Sequence, residues 1–189
     1  MVSVEEIFKA LCERVLHGLM LHEQLSNYYD FLALKGYKRC HEYHYICETI
    51  AHRKLWRFYI NHYNKLIPVT ENNFNPVIPS NWYRYSRSEV DSSTKRKAVE
   101  NGLGEWLRWE TNTKAFYTER VKELEAIGEF AAADFVKEML YDVEKEIKKA
   151  QREQIELNSV DYSINYIISC QQSKHDKYKM KIENTTIKL

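Results

Sequence analysis

The stretch from residue 38 to residue 67 constrains the fold most, because it contains no Gly or Pro and predicts one long helix. At about 100° per residue, its side chains divide between two opposite sides of that helix. The charged side carries Arg39, Glu42, Arg53, Lys54, Arg57 and Asn61. The opposite side carries His41, His44, Tyr45, Glu48, Ala51, His52, Leu55, Tyr59 and Leu66. A side that faces a core normally holds aliphatic residues, so three His and one Glu there predict either a metal site or a buried polar network.

The composition fits one helical domain over residues 1–189. Five Gly and three Pro favour long helices over an all-β fold, and the length suits a single core. The formal net charge of +1 selects no class of partner. No apolar run is long enough to cross a membrane, no targeting segment is evident, and the four Cys lack CxxC spacing. We therefore expect reduced thiols, a cytoplasmic location and no membrane partner.

Capping signals and apolar periodicity predict five helices, at about 3–34, 38–67, 92–127, 129–158 and 160–181, followed by a frayed basic tail at 182–189. A capping box beginning at Ser3 opens the first helix, and Gly36 and Gly128 separate successive helices. Such short connections favour antiparallel neighbours. All three Pro fall in residues 68–91, which we expect to form a long crossover. The predicted fold is an all-α, antiparallel helical bundle with an extra C-terminal helix.

Inward carboxylates are the clearest functional signal. Glu23 and Glu48 lie almost equally far along the chain from Gly36. At a rise of roughly 1.5 Å per residue, each lies roughly 20 Å from the turn, so we expect the two side chains to face each other across the helix pair. His52 lies about one turn beyond Glu48, and Glu110 falls on the apolar stripe of the third helix. Carboxylates and a neutral imidazole suit divalent metals. The same residues also fit a hydrogen-bonded polar layer that fixes helix register.

Two helix pairs joined by a long crossover, with these inward carboxylates, resemble the ferritin-like four-helix bundles over about residues 3–158. The resemblance implies two Fe or Mn ions that carry out O₂ chemistry. It implies as metal ligands Glu23, Glu48, His52, Glu110 and Glu146, with Asp142 as an alternative to Glu146. The chain departs from the family twice: Glu48 and His52 are four residues apart where the family has three, and the fourth helix lacks a Glu-x-x-His pair.

Interleaved basic and aromatic residues support a second interpretation. The predicted partner-binding face consists of Arg39, Arg53, Lys54, Arg57, Trp82, Arg84, Tyr85 and Arg87. Such residues stack on bases and neutralise phosphates, and the same types dominate protein–protein contacts. Alternatively, Trp82 and Tyr85 only hold the crossover against the bundle.

The chain also resembles small phage-encoded helical proteins rich in Tyr, Asn and Lys. That resemblance implies an inhibitor of a host defence nuclease that targets nucleic acids. Two functions therefore stay open. The first is a non-catalytic interaction protein that uses no cofactor and binds a protein or a protein–nucleic-acid complex. A homodimer is compatible with this function. The second is a ferritin-like di-metal protein or oxidoreductase. The spacing of Glu48 and His52, together with the missing ligand on the fourth helix, places the interaction protein first.

Overall fold

A computed structural model describes residues 2–67 and 89–186, and within them the chain is helical and contains no β-strand. The six helices are α1 (Val4–Phe31), α2 (Lys35–Tyr63), α3 (Ser92–Ala126), α4 (Phe130–Ser159), α5 (Ile164–Ser169) and α6 (Gln171–Thr186). The predicted all-α class is confirmed. Most of the predicted crossover at 68–91 and the end of the predicted tail lie outside the described residues. No described helix has the length and apolar character needed to span a bilayer.

The start of α1 agrees with its sequence signal, but its end does not. The Ser3 hydroxyl accepts a hydrogen bond from the Glu6 backbone N–H, and the Glu6 carboxylate accepts one from the Ser3 N–H. The turn after α1 lies at Leu32–Leu34, where Ala33 has a φ of 57°. Gly36, predicted as the stop, instead lies inside α2. A Cβ there would come within 2.7 Å of the Gln171 carbonyl oxygen, so Gly36 allows α6 to approach α2 closely.

The predicted fifth helix at 160–181 is two helices. Asp161 and Tyr162 have φ values of 47° and 48°, so the backbone turns after α4 and cannot begin a helix at residue 160. Helix α5 then begins at Ile164, and α6 continues into the segment predicted as a frayed tail. The predicted break at Gly128 is present, because Gly128 has a φ of 82°.

The helices pack mainly in pairs: α1 lies along α2, α3 lies along α4, and α6 packs on α2. Two apolar clusters fill the interior, one around Leu25 and Trp106 and the other around Phe8 and Leu124. The stretch of α3 from Trp106 to Tyr117, where the first cluster gives way to the second, contains the buried Glu110. A polar layer therefore separates two apolar regions of the core.

Candidate metal centre

Three side chains from three helices converge in this polar layer: His22 from α1, Glu48 from α2 and Glu110 from α3. One potential ligand atom of each lies within 4.8 Å of those of the other two. His22 Nε2 is 3.9 Å from Glu110 Oε1, and these residues are 1% and 3% exposed, whereas Glu48 is partly buried. Because metal–ligand bonds are about 2.0–2.2 Å long, small side-chain rotations would bring all three groups onto one divalent cation.

Burial and neighbouring carboxylates disfavour ionisation of Glu48 and Glu110. Burial raises the pKa of Glu48 to about 8, the charge of Glu146 raises it too, and the Arg14 guanidinium opposes both. Burial also raises the pKa of Glu110 well above its usual range, and Glu48 and Glu146 add to that shift. Without a cation, Glu48 and Glu110 therefore hold protons at neutral pH. A divalent cation would replace those protons and remove the repulsion between the carboxylates.

A stack of neutral imidazoles borders the carboxyl groups. The rings of His22 and His41 lie 5.2 Å apart, the rings of His22 and His44 lie 5.1 Å apart, and Trp106 lies 4.8 Å from His44. Burial lowers the pKa of all three His well below the usual range, and neighbouring imidazoles add to that shift. Each of these rings therefore carries a single N–H.

The contact between His22 and His41 decides whether His22 can bind a metal. Their Nδ1 atoms are 2.9 Å apart, so one donates its proton to the other. If His22 donates, its Nε2 atom keeps a free lone pair directed toward Glu110. If His41 donates, His22 carries its proton on Nε2 and cannot act as a ligand there. Hence His41 can select the tautomer that binds metal.

Unpaired polar atoms lie next to the cluster on α2 and α4. His44 Nδ1 is 3.5 Å from Glu146 Oε2, and both Glu146 Oε2 and His44 Nε2 are buried without a hydrogen-bond partner among residues 2–67 and 89–186. The other oxygen of Glu146 pairs with Lys149. Since buried polar atoms normally have partners, these two mark a place where a further ligand would be favourable.

A cavity of about 450 Å³ connects these groups. Residues of α2 and α4 form most of its wall, and Glu48, Glu110 and Glu146 all line it. Gly18 of α1 packs against Glu48, because a Cβ at Gly18 would lie 3.1 Å from the Glu48 carboxyl carbon and 3.3 Å from both of its oxygens. The small residue at position 18 thus leaves room for the carboxylate beside the cavity.

Two of the ligands that the resemblance implied meet in the cluster, and two do not. Glu48 and Glu110 converge, and Glu146 lies beside them. The expected inward position of Glu23 is wrong: Glu23 is exposed and lines a different cleft. The core face of α1 is rotated by one residue, so His22 points inward in its place.

His52 also lies apart from the cluster. It contacts Cys12 Sγ at 3.2 Å and accepts a hydrogen bond of 3.2 Å from Trp56 Nε1. Asp142 lines the cavity but pairs with Lys145 at 2.9 Å. The four-residue spacing between Glu48 and His52 therefore leaves His52 in a separate contact one turn away.

Sequence reasoning missed His22, although a signal for it existed. The buried positions Leu11, Val15, Gly18, His22 and Leu25 recur at intervals of three or four residues. That periodicity places His22 on the core face, and a small residue one turn earlier leaves space beside it.

The structure describes only the part of the predicted partner-binding face that lies on α2. Arg53, Lys54 and Arg57 are exposed on α2 and form no ion pair with a described residue, while Arg39 is partly buried and pairs with Glu42 at 2.6 Å. Trp82, Arg84, Tyr85 and Arg87 lie outside the described residues. The joint surface of α2 and the crossover therefore stays a prediction.

No protein-family model matches the chain, and no characterised protein or solved structure matches it. The resemblance to ferritin-like bundles accordingly stays an expectation, and the residues of the site are what indicate a function.

Proposed function

We propose that the protein binds a divalent transition metal, Fe or Mn, through His22, Glu48 and Glu110. The observation that carries the proposal is the convergence of these three ligand atoms, from three helices, beside a cavity in the polar layer of the core. Glu146, which the ferritin-like resemblance implies as a ligand, extends the site toward a second ion, and His44 lies beside it. In this proposal the helices form a ferritin-like, antiparallel bundle around the site.

The ligand set favours particular metals. Two or three carboxylates with one imidazole suit Fe(II) and Mn(II), whereas a structural zinc site commonly uses thiolates, and the cluster contains none. A bound redox-active ion would supply one-electron chemistry toward O₂. The chain's own residues prepare the ligands: Trp106 Nε1 donates a hydrogen bond of 3.2 Å to Glu110 Oε1 and orients that carboxylate, while His41 sets the tautomer of His22.

The affinity for Mn(II) tests this proposal. Bound ion is measured by loss of the paramagnetic resonance signal of free aqueous Mn(II) as protein is added. Wild-type protein should bind Mn(II), and Glu110→Gln, which keeps the size of the side chain, should weaken binding at least about tenfold. Glu23→Gln changes an exposed carboxylate at the position beside His22 and should bind like wild type.

The pH dependence of that affinity provides a second criterion. Each proton displaced from Glu48 or Glu110 makes the affinity rise about tenfold per pH unit below the pKa of the displaced group. If Mn(II) does not bind, or if Glu23→Gln and Glu110→Gln weaken binding equally, the assignment of the site is wrong.

The second candidate function is capture of a macromolecular partner, such as a nucleic-acid-targeting nuclease, by the basic face of α2. Arg53, Lys54 and Arg57 are exposed and have no ion-pair partner among the described residues, which favours this function because such cations are available to an acidic surface. A pull-down with Arg53→Glu/Arg57→Glu should lose a partner that wild type retains. Lys122→Glu changes a charge on α3 and serves as the control. Equal capture by all variants would exclude this face.

A further inference from the structure

Another concave region lies between α4 and the C-terminal helices, and Lys149 lines both this region and the cavity beside the carboxylate cluster. The volume of this region is about 370 Å³. Basic side chains from both sides line it: Lys149 and Arg152 from α4, with Lys174, Lys177 and Lys181 from α6. Glu153 and Glu156 are the acidic residues in the same wall, so the basic groups exceed the acidic ones.

One of the two acidic groups is ion-paired with a cation of the pocket, and the other is held by a neutral hydroxyl. Lys174 pairs with Glu153, and Glu156 accepts a hydrogen bond from the Tyr166 hydroxyl. Lys149 pairs with Glu146 outside the pocket wall. Arg152, Lys177 and Lys181 form no ion pair with any carboxylate of the described residues. The neutral Tyr166 hydroxyl does not cancel the charge of Glu156, so these three cations face one remaining carboxylate and leave an excess of two positive charges on one concave surface.

The cations are also close enough to repel one another. The Lys181 ammonium lies 5.2 Å from the centre of the Tyr178 ring, and the Lys177 ammonium lies 5.5 Å from the same ring. Burial lowers the pKa of Lys181, the charges of Lys149 and Lys177 lower it further, and the charge of Glu146 partly opposes them. A ring face attracts a cation weakly and leaves its charge in place, so an anion in the pocket would relieve this repulsion.

We propose that the pocket between α4 and α6 binds a small polyanion carrying a di- or triphosphate group. Arg152 offers a planar fork of N–H donors to phosphate oxygens, and Lys177 and Lys181 act as point charges on the other side. The concave shape favours a small molecule over a nucleic acid, which needs a groove that follows its backbone over several nucleotides. This site does not depend on a metal in the carboxylate cluster.

Titration calorimetry with inorganic tripolyphosphate tests the proposal on the full chain. Wild type should bind one tripolyphosphate per chain with saturation. Arg152→Ala and Lys177→Ala, each replacing an exposed side chain, should weaken binding about tenfold or more, the effect of one charge-assisted contact.

Matched controls lie on the same helices. Lys148→Ala on α4 and Lys179→Ala on α6 remove the same charge from exposed positions outside the pocket, and should bind within about twofold of wild type. Equal weakening by pocket and control variants would show attraction to net charge and overturn the proposal, as would no binding by wild type. A single-stranded oligonucleotide is tested as a competitor. If it binds through Arg152 and Lys177 and tripolyphosphate does not displace it, the proposal of a small polyanion is wrong and the ligand is a nucleic acid.

Discussion

Glu48→Gln is the most informative single substitution, because it removes one ionisable group and keeps the size of the side chain. In the metal-free protein, burial raises the pKa of Glu48 from 4.5 to about 8. The folded state therefore keeps a proton on Glu48 at pH values where the unfolded chain has lost it. Since stability falls with pH wherever the folded state binds more protons, Glu48 destabilises the fold progressively between about pH 4.5 and pH 8.

The size of the effect follows from the shift. One pKa unit corresponds to about 1.4 kcal/mol, so Glu48 lowers the free energy of unfolding by at most about 5 kcal/mol at pH 8. Solvent in the adjoining cavity screens the charge and reduces this value. Glu48→Gln should consequently be more stable than wild type at pH 8 and similar to it near pH 4.5.

Urea denaturation in the presence of a chelator, at several values between pH 4.5 and pH 8, measures the effect. The wild-type free energy of unfolding should fall with a slope that exceeds that of Glu48→Gln by up to about 1.4 kcal/mol per pH unit. The exposed Glu23→Gln variant should follow the wild-type profile. Parallel profiles for wild type and Glu48→Gln would refute the reasoning, because Glu48 would then titrate as it does in the unfolded chain.

Two further predictions concern packing around the site and at the C-terminal helix. Gly18→Ala should weaken Mn(II) binding about tenfold, because the new Cβ would press on the Glu48 carboxylate. Gly104→Ala is the control: its Cβ would enter open space, so it should stabilise α3 by about 1 kcal/mol without changing the affinity for Mn(II). Unchanged Mn(II) affinity in Gly18→Ala would show that this glycine does not set the carboxylate position. Lys174→Ala leaves the largely buried Glu153 without its partner and should cost about 2–3 kcal/mol in urea denaturation, and Lys174→Ala/Glu153→Leu should recover part of that loss. A loss below about 0.5 kcal/mol would mean that the pair behaves as a solvated surface contact.

Local signals in the sequence predicted helix ends correctly where one residue type determines the backbone conformation. The capping box at Ser3 and the positive φ of Gly128 lie where the sequence placed them. Gly36 shows the limit of such signals. Its lack of a side chain serves the approach of α6, while Ala33 adopts the positive φ of the turn. A glycine needed for packing and a glycine needed for a turn cannot be told apart without the partner helix.

The candidate site was predicted in part, for a related reason. Glu48 and Glu110 lie on core faces that periodicity identifies, and they converge. Glu23 and His22 are adjacent, so a rotation of α1 by one residue exchanges them. That rotation depends on how α1 packs against α2 and α3, which periodicity on one helix does not determine. The basic pocket escaped prediction because it combines α4 with α6, two helices that the turn at Asp161 and the end of α5 at Cys170 separate along the chain.

The iron content of the protein is the most direct test of the proposed metal site at His22, Glu48 and Glu110. Untagged protein, loaded anaerobically with Fe(II) and freed of excess ion, is analysed by inductively coupled plasma mass spectrometry alongside Glu48→Ala, His22→Ala and the control Glu23→Ala. We predict at least one iron per chain in wild type and Glu23→Ala, and iron near background in Glu48→Ala and His22→Ala, with unchanged circular dichroism. Background iron in wild type, or full iron content in Glu48→Ala, would contradict the account and leave the His and Glu residues as a polar layer of the core.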